Sequence, residues 1–255
     1  MHELFVFPAG DGLCRAILFA VAAVLLLCGV VFFVQGNRSK GKSSRFLVAM
    51  AALVGAVVYY FLGFGVGIQA DGLSWQSGNK AFFWARYLDW LVTIPMLITA
   101  LCLVVKVDIW EAGFMSATAI LMVATSYVEF TSPGMFWMGL ALSGVFLVIT
   151  VGYLADAVMS SEEESRTGTV AFWVLAVALI VYPVVAILKA TSGLNMVVEV
   201  ILYALADIVS KAVFGFVISR SKADEVDDES DWSAQQPIQM QQYYQQQPIM
   251  QGAPM

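Results

Sequence analysis

Tyr203-Ala204-Leu205-Ala206-Asp207-Ile208-Val209-Ser210-Lys211-Ala212-Val213-Phe214-Gly215-Phe216 is an apolar stretch that carries one acid and one lysine. Asp207 and Lys211 are four residues apart, so on a helix both side chains lie on one face. An ionised lysine in hydrocarbon costs roughly 2.5 to 3.5 kcal/mol on insertion scales. A lysine amine can condense with an aldehyde to form a Schiff base, for which a nearby carboxylate is the natural counter-ion. The alternative interpretation of this stretch is a structural ion pair.

The composition indicates a membrane protein. Of the 255 residues, 60% are hydrophobic and 13% are charged, and the mean hydropathy is +0.80, whereas soluble domains carry about 25% charged residues. Apolar runs of roughly 20 residues can cross a bilayer core. Short connections between them favour antiparallel neighbours in one bundle. The fold class predicted is therefore all-α, with seven transmembrane helices at about 16–36, 46–68, 82–105, 112–130, 134–156, 169–188 and 195–219.

Basic residues predict the orientation and the domain boundaries. The loop after the first helix contains Arg38, Lys40, Lys42 and Arg45, and the positive-inside rule places that side in the cytoplasm. Residues 1–15 then form an extracellular N-terminus and residues 16–219 the seven-helix domain. Residues 220–255 form an acidic, Gln-rich cytoplasmic tail whose composition predicts disorder.

Other function classes find no support in the sequence. The acidic residues outside the spans fall in a loop and in the tail, where they are expected to be solvated, and no basic patch suggests nucleic-acid binding. Cys14, Cys28 and Cys102 have no metal-ligand spacing and predict neither a metal site nor a disulfide framework.

Five charged residues lie inside the predicted spans and more than two residues from either end. Arg86 and Asp89 are in the third helix, and Glu199, Asp207 and Lys211 are in the seventh. Intramembrane charges face the bundle interior and pair with one another. At 1.5 Å per residue, Asp207 lies about 12 Å deeper than Glu199 and Lys211 about 6 Å deeper again. We therefore expect one buried network, with Lys211 near the middle of the membrane.

The third-helix string Trp84-Ala85-Arg86-Tyr87-Leu88-Asp89-Trp90-Leu91-Val92-Thr93-Ile94-Pro95 and the seventh-helix string Asp207-Ile208-Val209-Ser210-Lys211 closely resemble the microbial (type 1) rhodopsins, the family that includes bacteriorhodopsin. The resemblance covers about residues 10 to 220. Two motifs in the right helices are far more specific than one motif alone.

The resemblance implies that Lys211 carries all-trans retinal as a Schiff base, with Asp89 and Asp207 as counter-ions. Asp89 would also accept the proton after photoisomerisation. Thr93 matches the threonine that hydrogen-bonds this acceptor, and Arg86 matches the arginine that links the counter-ions to the outer half-channel. Glu199 matches one carboxylate of the proton-release group.

The chromophore pocket is also implied by the resemblance. A second-helix tyrosine belongs near the chromophore, and Tyr60 is expected there, although Tyr59 is the alternative. The remaining positions expected around the chromophore are Trp90, Leu97, Trp137, Tyr182, Pro183 and Ser210.

The chain also departs from the family pattern. Ala100 stands where outward pumps usually place a carboxylic proton donor, which predicts slow reprotonation. Leu179 and Ala186 replace two tryptophans and predict a looser pocket. No second carboxylate precedes Glu199 in the outer loop, where Lys189 is expected instead.

The function expected is that of a light-driven outward proton pump with a slow photocycle, not an enzyme, in the plasma membrane. Protons would be the transported ion, and the family implies a homo-oligomer, either a trimer or a pentamer, in the bilayer. A sensory rhodopsin with a cytoplasmic signalling partner is the alternative. A light-gated channel is less favoured, because the second helix has no acidic residue to line a cation path. A chloride pump is disfavoured because Asp89 supplies the negative charge that a bound anion would have to replace. A sodium pump is disfavoured because the Asn and Gln that such pumps usually carry in the third helix are absent.

Overall fold

The computed structural model describes residues 12–38, 42–71, 80–131, 135–161 and 166–221, and it confirms a bundle of seven long helices. The predicted disordered tail and most of the N-terminal segment lie outside these residues. Six spans are single helices, and the seventh, Met196–Ser219, is in three parts. The single helices are α1 (Gly12–Arg38), α2 (Lys42–Gly63), α3 (Trp84–Val104), α4 (Ile109–Thr131), α5 (Phe136–Ser160) and α6 (Arg166–Ser192).

The helices carry apolar side chains on their outer surfaces as well as inside. Large side chains such as Leu27, Val148 and Trp173 are more than half exposed, which suits contact with lipid rather than water. All seven spans are long and apolar enough to cross a membrane, so the chain is an integral, multi-pass membrane protein.

Successive helices run in opposite directions. The Arg15 side chain near the start of α1 donates to the Gly63 carbonyl at the end of α2, at 3.2 Å. At the other end, Arg45 near the start of α2 donates to the carbonyl of Ser221, at 3.1 Å. We call the end at which α1, α3, α5 and the seventh span begin the first end of the bundle, and the opposite end the second end.

The second helix ends earlier than predicted, at Gly63 rather than residue 68. Gly65 and Gly67 have φ of 83° and 84°, a left-handed conformation that glycine adopts without a steric penalty. They turn the chain into a short antiparallel hairpin that the sequence analysis did not predict. Its strands are β1 (Gln69–Asp71) and β2 (Lys80–Phe82).

The seventh span changes helix type beside the lysine. An α-helix, α7 (Met196–Asp207), continues as a π-helical turn, Ile208–Val213, and then as a short α-helix, α8 (Phe214–Ser219). Wide π turns occur mostly as single turns and frequently at functional sites. The turn contains Lys211, and the four-residue spacing still brings its amine to the Asp207 carboxylate, at 3.2 Å.

Close packing of α8 against α1 and α2 depends on one glycine. A Cβ added at Gly215 would lie 2.4 Å from the Phe32 ring and 2.6 Å from Val48, and both of those side chains are fully buried. The interior has little room to absorb such an overlap. Gly215 therefore sets the distance between these helices.

We expect Gly215→Ala to destabilise the protein by about 1–3 kcal/mol, the usual cost of overpacking a core. The control is Gly152→Ala, since a Cβ at that helical position meets nothing within 4 Å and alanine is the better helix former. Thermal unfolding in detergent, followed by circular dichroism, measures both variants. A Gly215→Ala protein as stable as the parent would contradict this packing argument.

Candidate functional site

Lys211 is the centre of a buried ionic network. Its side chain is fully buried, and its Nζ donates to Asp89 Oδ2 and, at 3.2 Å, to Asp207 Oδ1. The lysine stem lies against Gly55 of α2, where an added Cβ would come within 3.1 Å of both Cδ and Nζ. The expected pairing of one amine with two carboxylates, one from α3 and one from the seventh span, is present.

Asp207 is held by four donors. Its Oδ1 accepts from the Trp90 indole N–H at 3.1 Å and from the Tyr182 hydroxyl at 2.7 Å, in addition to Lys211. Its Oδ2 accepts from the Tyr59 hydroxyl at 2.6 Å. Carboxylates that accept several directed donors are held firmly in orientation and in charge. Asp207 is thus the fixed carboxylate of the pair.

Asp89 is less fully bonded than Asp207. Its Oδ2 accepts from Lys211, whereas its Oδ1 is buried with no hydrogen-bond partner among the described residues. Thr93, one turn further along α3, lies near the Asp89 carboxylate. The expected hydrogen bond from Thr93 to Asp89 does not reach hydrogen-bond geometry, although the hydroxyl is close enough to act on the charge of the carboxylate. Asp89 therefore has acceptor capacity to spare.

Beyond the two aspartates, toward the first end, Arg86 and Glu199 continue the network, as predicted. Arg86 Nη1 lies 3.9 Å from Glu199 Oε1, and its guanidinium lies over the rings of Phe83 and Tyr203 at 4.3 and 4.8 Å. The prediction that Lys189 lies in a loop is wrong. It is in the last turn of α6, is 5% exposed, and donates to the same Glu199 oxygen at 3.0 Å.

A cavity of about 40 Å³ lies next to the network, between α3, α4, α5, α6 and α7. Trp90 and Tyr182 line it and also donate to Asp207, so their rings, 4.5 Å apart, stand between the cavity and the carboxylate. Leu179 and Ala186, the two positions that lack tryptophan, both line it. Its other lining residues are Tyr87, Ile94, Met122, Val123, Ser126, Ser143, Gly144, Leu147, Pro183 and Tyr203.

Two expected pocket residues point elsewhere. Tyr60 is 51% exposed and contacts the rings of Phe19 and Phe64, whereas Tyr59 is fully buried and bonds Asp207. The alternative, Tyr59, is therefore the tyrosine at the site. Trp137 is 56% exposed at the start of α5 and does not line the cavity, because its position on α5 turns it outward.

The other expected residues are buried, but not all of them touch the cavity. Pro183 lines it, and Ser210 lies behind Tyr182, with the two hydroxyl oxygens 3.2 Å apart. Leu97 is buried one turn beyond Thr93, in the main core cluster, and is not among the residues that line the cavity.

The half of the bundle toward the second end has no comparable charge. Ala100 is fully buried, and the buried charged residues of the described chain are Arg86, Asp89, Lys189, Glu199, Asp207 and Lys211. Asp108, just before α4, is exposed and accepts from the Trp110 backbone N–H at 2.8 Å, as a helix N-cap does.

Tyr203 is a site residue that the sequence analysis missed. It contacts the cavity, the Arg86 guanidinium and the Trp90 ring. The signal was available, because Tyr203 precedes Asp207 by one helical turn and therefore lies on the same face. The burial of Lys189 was harder to predict, since a lysine at the end of an apolar run usually lies in solvent at the end of the helix.

Comparison with known proteins agrees with this geometry. The family model for bacteriorhodopsin-like proteins matches residues 14–224. Archaerhodopsin-3 of Halorubrum sodomense is 26% identical over 231 residues, covering 84% of this chain and 87% of its own.

Solved structures share the fold. The light-driven proton pump rhodopsin of Coccomyxa subellipsoidea superposes with a TM-score of 0.74 at 18% identity, over 81% of this chain and 95% of its own. Halorhodopsin, a light-driven chloride pump, superposes with a TM-score of 0.77 at 21% identity, over 85% and 97%. With the family model spanning all seven helices, this chain belongs to the bacteriorhodopsin-like family of microbial rhodopsins.

Proposed function

We propose that this protein is a light-driven proton pump that carries retinal on Lys211 and moves protons toward the first end of the bundle. The observation that carries the proposal is the hydrogen bond from the Lys211 amine to Asp89, from which buried charges continue to Arg86, Glu199 and Lys189. By the positive-inside rule the first end faces outward, so transport is outward across the plasma membrane.

The residues at this site have the chemical properties needed to bind retinal. Its family binds it through a lysine, and here a fully buried amine faces two carboxylates and lies close to an apolar, aromatic-lined cavity. The cavity would receive an apolar part of the chromophore, with Trp90 and Tyr182 among the residues that line it. When bound, retinal supplies light absorption and isomerisation, and the protein supplies orientation and electrostatics.

The residues divide the proton-transfer work between them. Asp89 is the acceptor, because it is the direct hydrogen-bond partner of the Lys211 nitrogen and has an oxygen with no other donor. Asp207 remains the fixed counter-ion, because its four donors stabilise its charge. A proton that moves from the Lys211 nitrogen to Asp89 leaves the total charge of the buried network unchanged. Arg86, next in line, then faces a neutral Asp89.

Return of the proton to the Lys211 nitrogen is expected to be slow. The buried charges of the described residues all lie from Lys211 toward the first end, and Ala100 offers no proton on the other side. A general acid placed in a reaction path contributes factors of about 10²–10⁴. The missing donor is also the observation that favours the second candidate, a photosensor whose long-lived light state acts on a cytoplasmic partner.

Other transport modes fit less well. An inward chloride pump would need an anion where Asp89 already supplies negative charge beside Lys211. A cation channel usually needs a polar or charged path, but the described part of α2 carries no acidic residue.

The test is light-induced pH change in an unbuffered suspension of cells that express the chain with added all-trans retinal. We expect acidification of the medium that a protonophore abolishes, and neither acidification nor a visible absorption band in Lys211→Ala. A visible band in the parent without any pH change would favour the sensor, and a normal band in Lys211→Ala would refute the attachment site.

Tyr59→Phe tests which tyrosine serves the counter-ion. It removes a hydrogen bond to a buried carboxylate, worth about 1.5–3 kcal/mol, so we expect a lower unfolding temperature and a displaced absorption maximum. Tyr60→Phe is the matched control, because Tyr60 packs on aromatic rings at the surface. Equal effects of the two substitutions would contradict the assignment.

Ala100→Asp tests the missing donor. We expect the dark absorbance to recover about 10- to 100-fold faster after a flash at neutral pH, because the new carboxyl group can supply the proton. Ala100→Asn is the control of equal size that lacks an acidic proton. If both variants recover at the parent's rate, another route already supplies the proton.

A further inference from the structure

The buried charges of the described chain form a single ladder of alternating sign. From the middle toward the first end, the Lys211 amine pairs with the two aspartates. Arg86 follows, acting on Asp207 through its charge rather than through an ion pair among the described residues. Arg86 and Lys189 then face Glu199. Three cations face three anions, so the ladder is neutral, and each charge is at least 94% buried at its side chain. Its last member, Lys189, neither gives nor accepts a proton in the transfer proposed above.

Arg86 is the least firmly bonded member of the ladder. None of its three guanidinium nitrogens makes a hydrogen bond with a described residue, and two aromatic faces hold it instead. On one side of it lie the aspartates, and on the other lies Glu199 at 3.9 Å. A small cavity of about 10 Å³, lined by Arg86, Lys189 and Glu199 among others, leaves room there for about one water-sized group. The Arg86 guanidinium can therefore shift either toward the aspartates or toward Glu199.

Lys189 and Arg86 compete for the same oxygen. Glu199 Oε1 accepts from Lys189 at 3.0 Å, while Arg86 remains at 3.9 Å, beyond hydrogen-bond distance. Without Lys189, the only cation within 4 Å of Glu199 in the described chain would be Arg86. A buried carboxylate left without its partner is strongly unfavourable, and a guanidinium is well suited to bond it directly.

We propose that Lys189 is a positioning residue for Arg86. By occupying Glu199 it leaves the guanidinium on the side of Asp89 and Asp207, where its positive charge stabilises the ionised counter-ions. The inference rests on the function proposed above, because the counter-ions matter through the chromophore that they face. The inference gives a function to Lys189, a side chain that takes no part in the pairing of Lys211 with Asp89 and Asp207.

The test is a double-mutant cycle of Lys189→Met and Glu199→Gln in the full-length, retinal-loaded protein. The readout is the pH midpoint at which acidification shifts the absorption maximum to longer wavelength, which reports protonation of the counter-ion. The charged and titratable groups that face Asp89 or Asp207 are Lys211, Arg86, Tyr59 and Tyr182, together with the other aspartate of the pair.

We expect Lys189→Met to raise this midpoint by roughly one pH unit, the lower end of the effect of a nearby charge, because Arg86 moves to Glu199 and away from Asp89. In the Glu199→Gln background the same substitution should have little effect, since Arg86 no longer has an acidic partner on that side. Lys189→Arg, which can still bond Glu199, should keep the midpoint of the parent.

An equal shift from Lys189→Met in both backgrounds would overturn the inference, because simple loss of a distant charge is additive whereas positioning is not. If Lys189→Met does not fold, Lys189→Gln, which keeps a hydrogen-bond donor, completes the same cycle. A parent protein that forms no visible band with retinal would instead refute the proposed function. A normal band with an additive cycle refutes only the role of Lys189.

Discussion

Burial of the Lys211 ammonium is the constraint on which the rest of the site depends. A cation in the centre of a membrane bundle is tolerated only with partners, and here it has two, Asp89 and Asp207. Two buried carboxylates in turn need further donors or cations. Tyr59, Trp90 and Tyr182 stabilise Asp207 by hydrogen bonds. Each charge thus requires the next, which accounts for donors from α2, α3 and α6 meeting at one carboxylate.

The two carboxylates differ because their donors differ. Asp207 is fixed by tyrosine and indole donors from three helices, whereas Asp89 keeps an oxygen with no donor among the described residues. A carboxylate that has to gain and lose a proton benefits from an oxygen without a hydrogen-bond donor. A carboxylate that has to stay charged benefits from donors on both oxygens. In the proposed function this difference assigns the acceptor role to Asp89 and the permanent counter-ion role to Asp207, although both are aspartates in contact with one lysine.

Helical spacing predicted the parts of the site that lie on one helix, and it could not predict contacts between helices. Asp207 with Lys211 and Arg86 with Asp89 follow from spacing alone. Tyr59 and Tyr60 are adjacent, and because α2 is apolar on all sides, periodicity does not show which one faces inward. Trp137 was misplaced because an aromatic residue near a helix end serves equally well at the membrane interface. The π turn at Lys211 contains no proline or glycine, so nothing in the sequence indicated a change in helix type.

The charge ladder contributes more to function than to stability. Buried ion pairs cost desolvation that their attraction barely offsets, and well-packed apolar residues often stabilise a protein more. Stability of the bundle therefore rests on close helix packing, such as the contact of Gly215 with Phe32 and Val48. Among the described residues the buried charges are confined to one half of the bundle, while the other half, around Ala100, has buried polar side chains such as Thr118 and Thr150 but no buried charge. In the proposed function this asymmetry gives a proton leaving Lys211 a direction, because the ionised partners among the described residues all lie on one side.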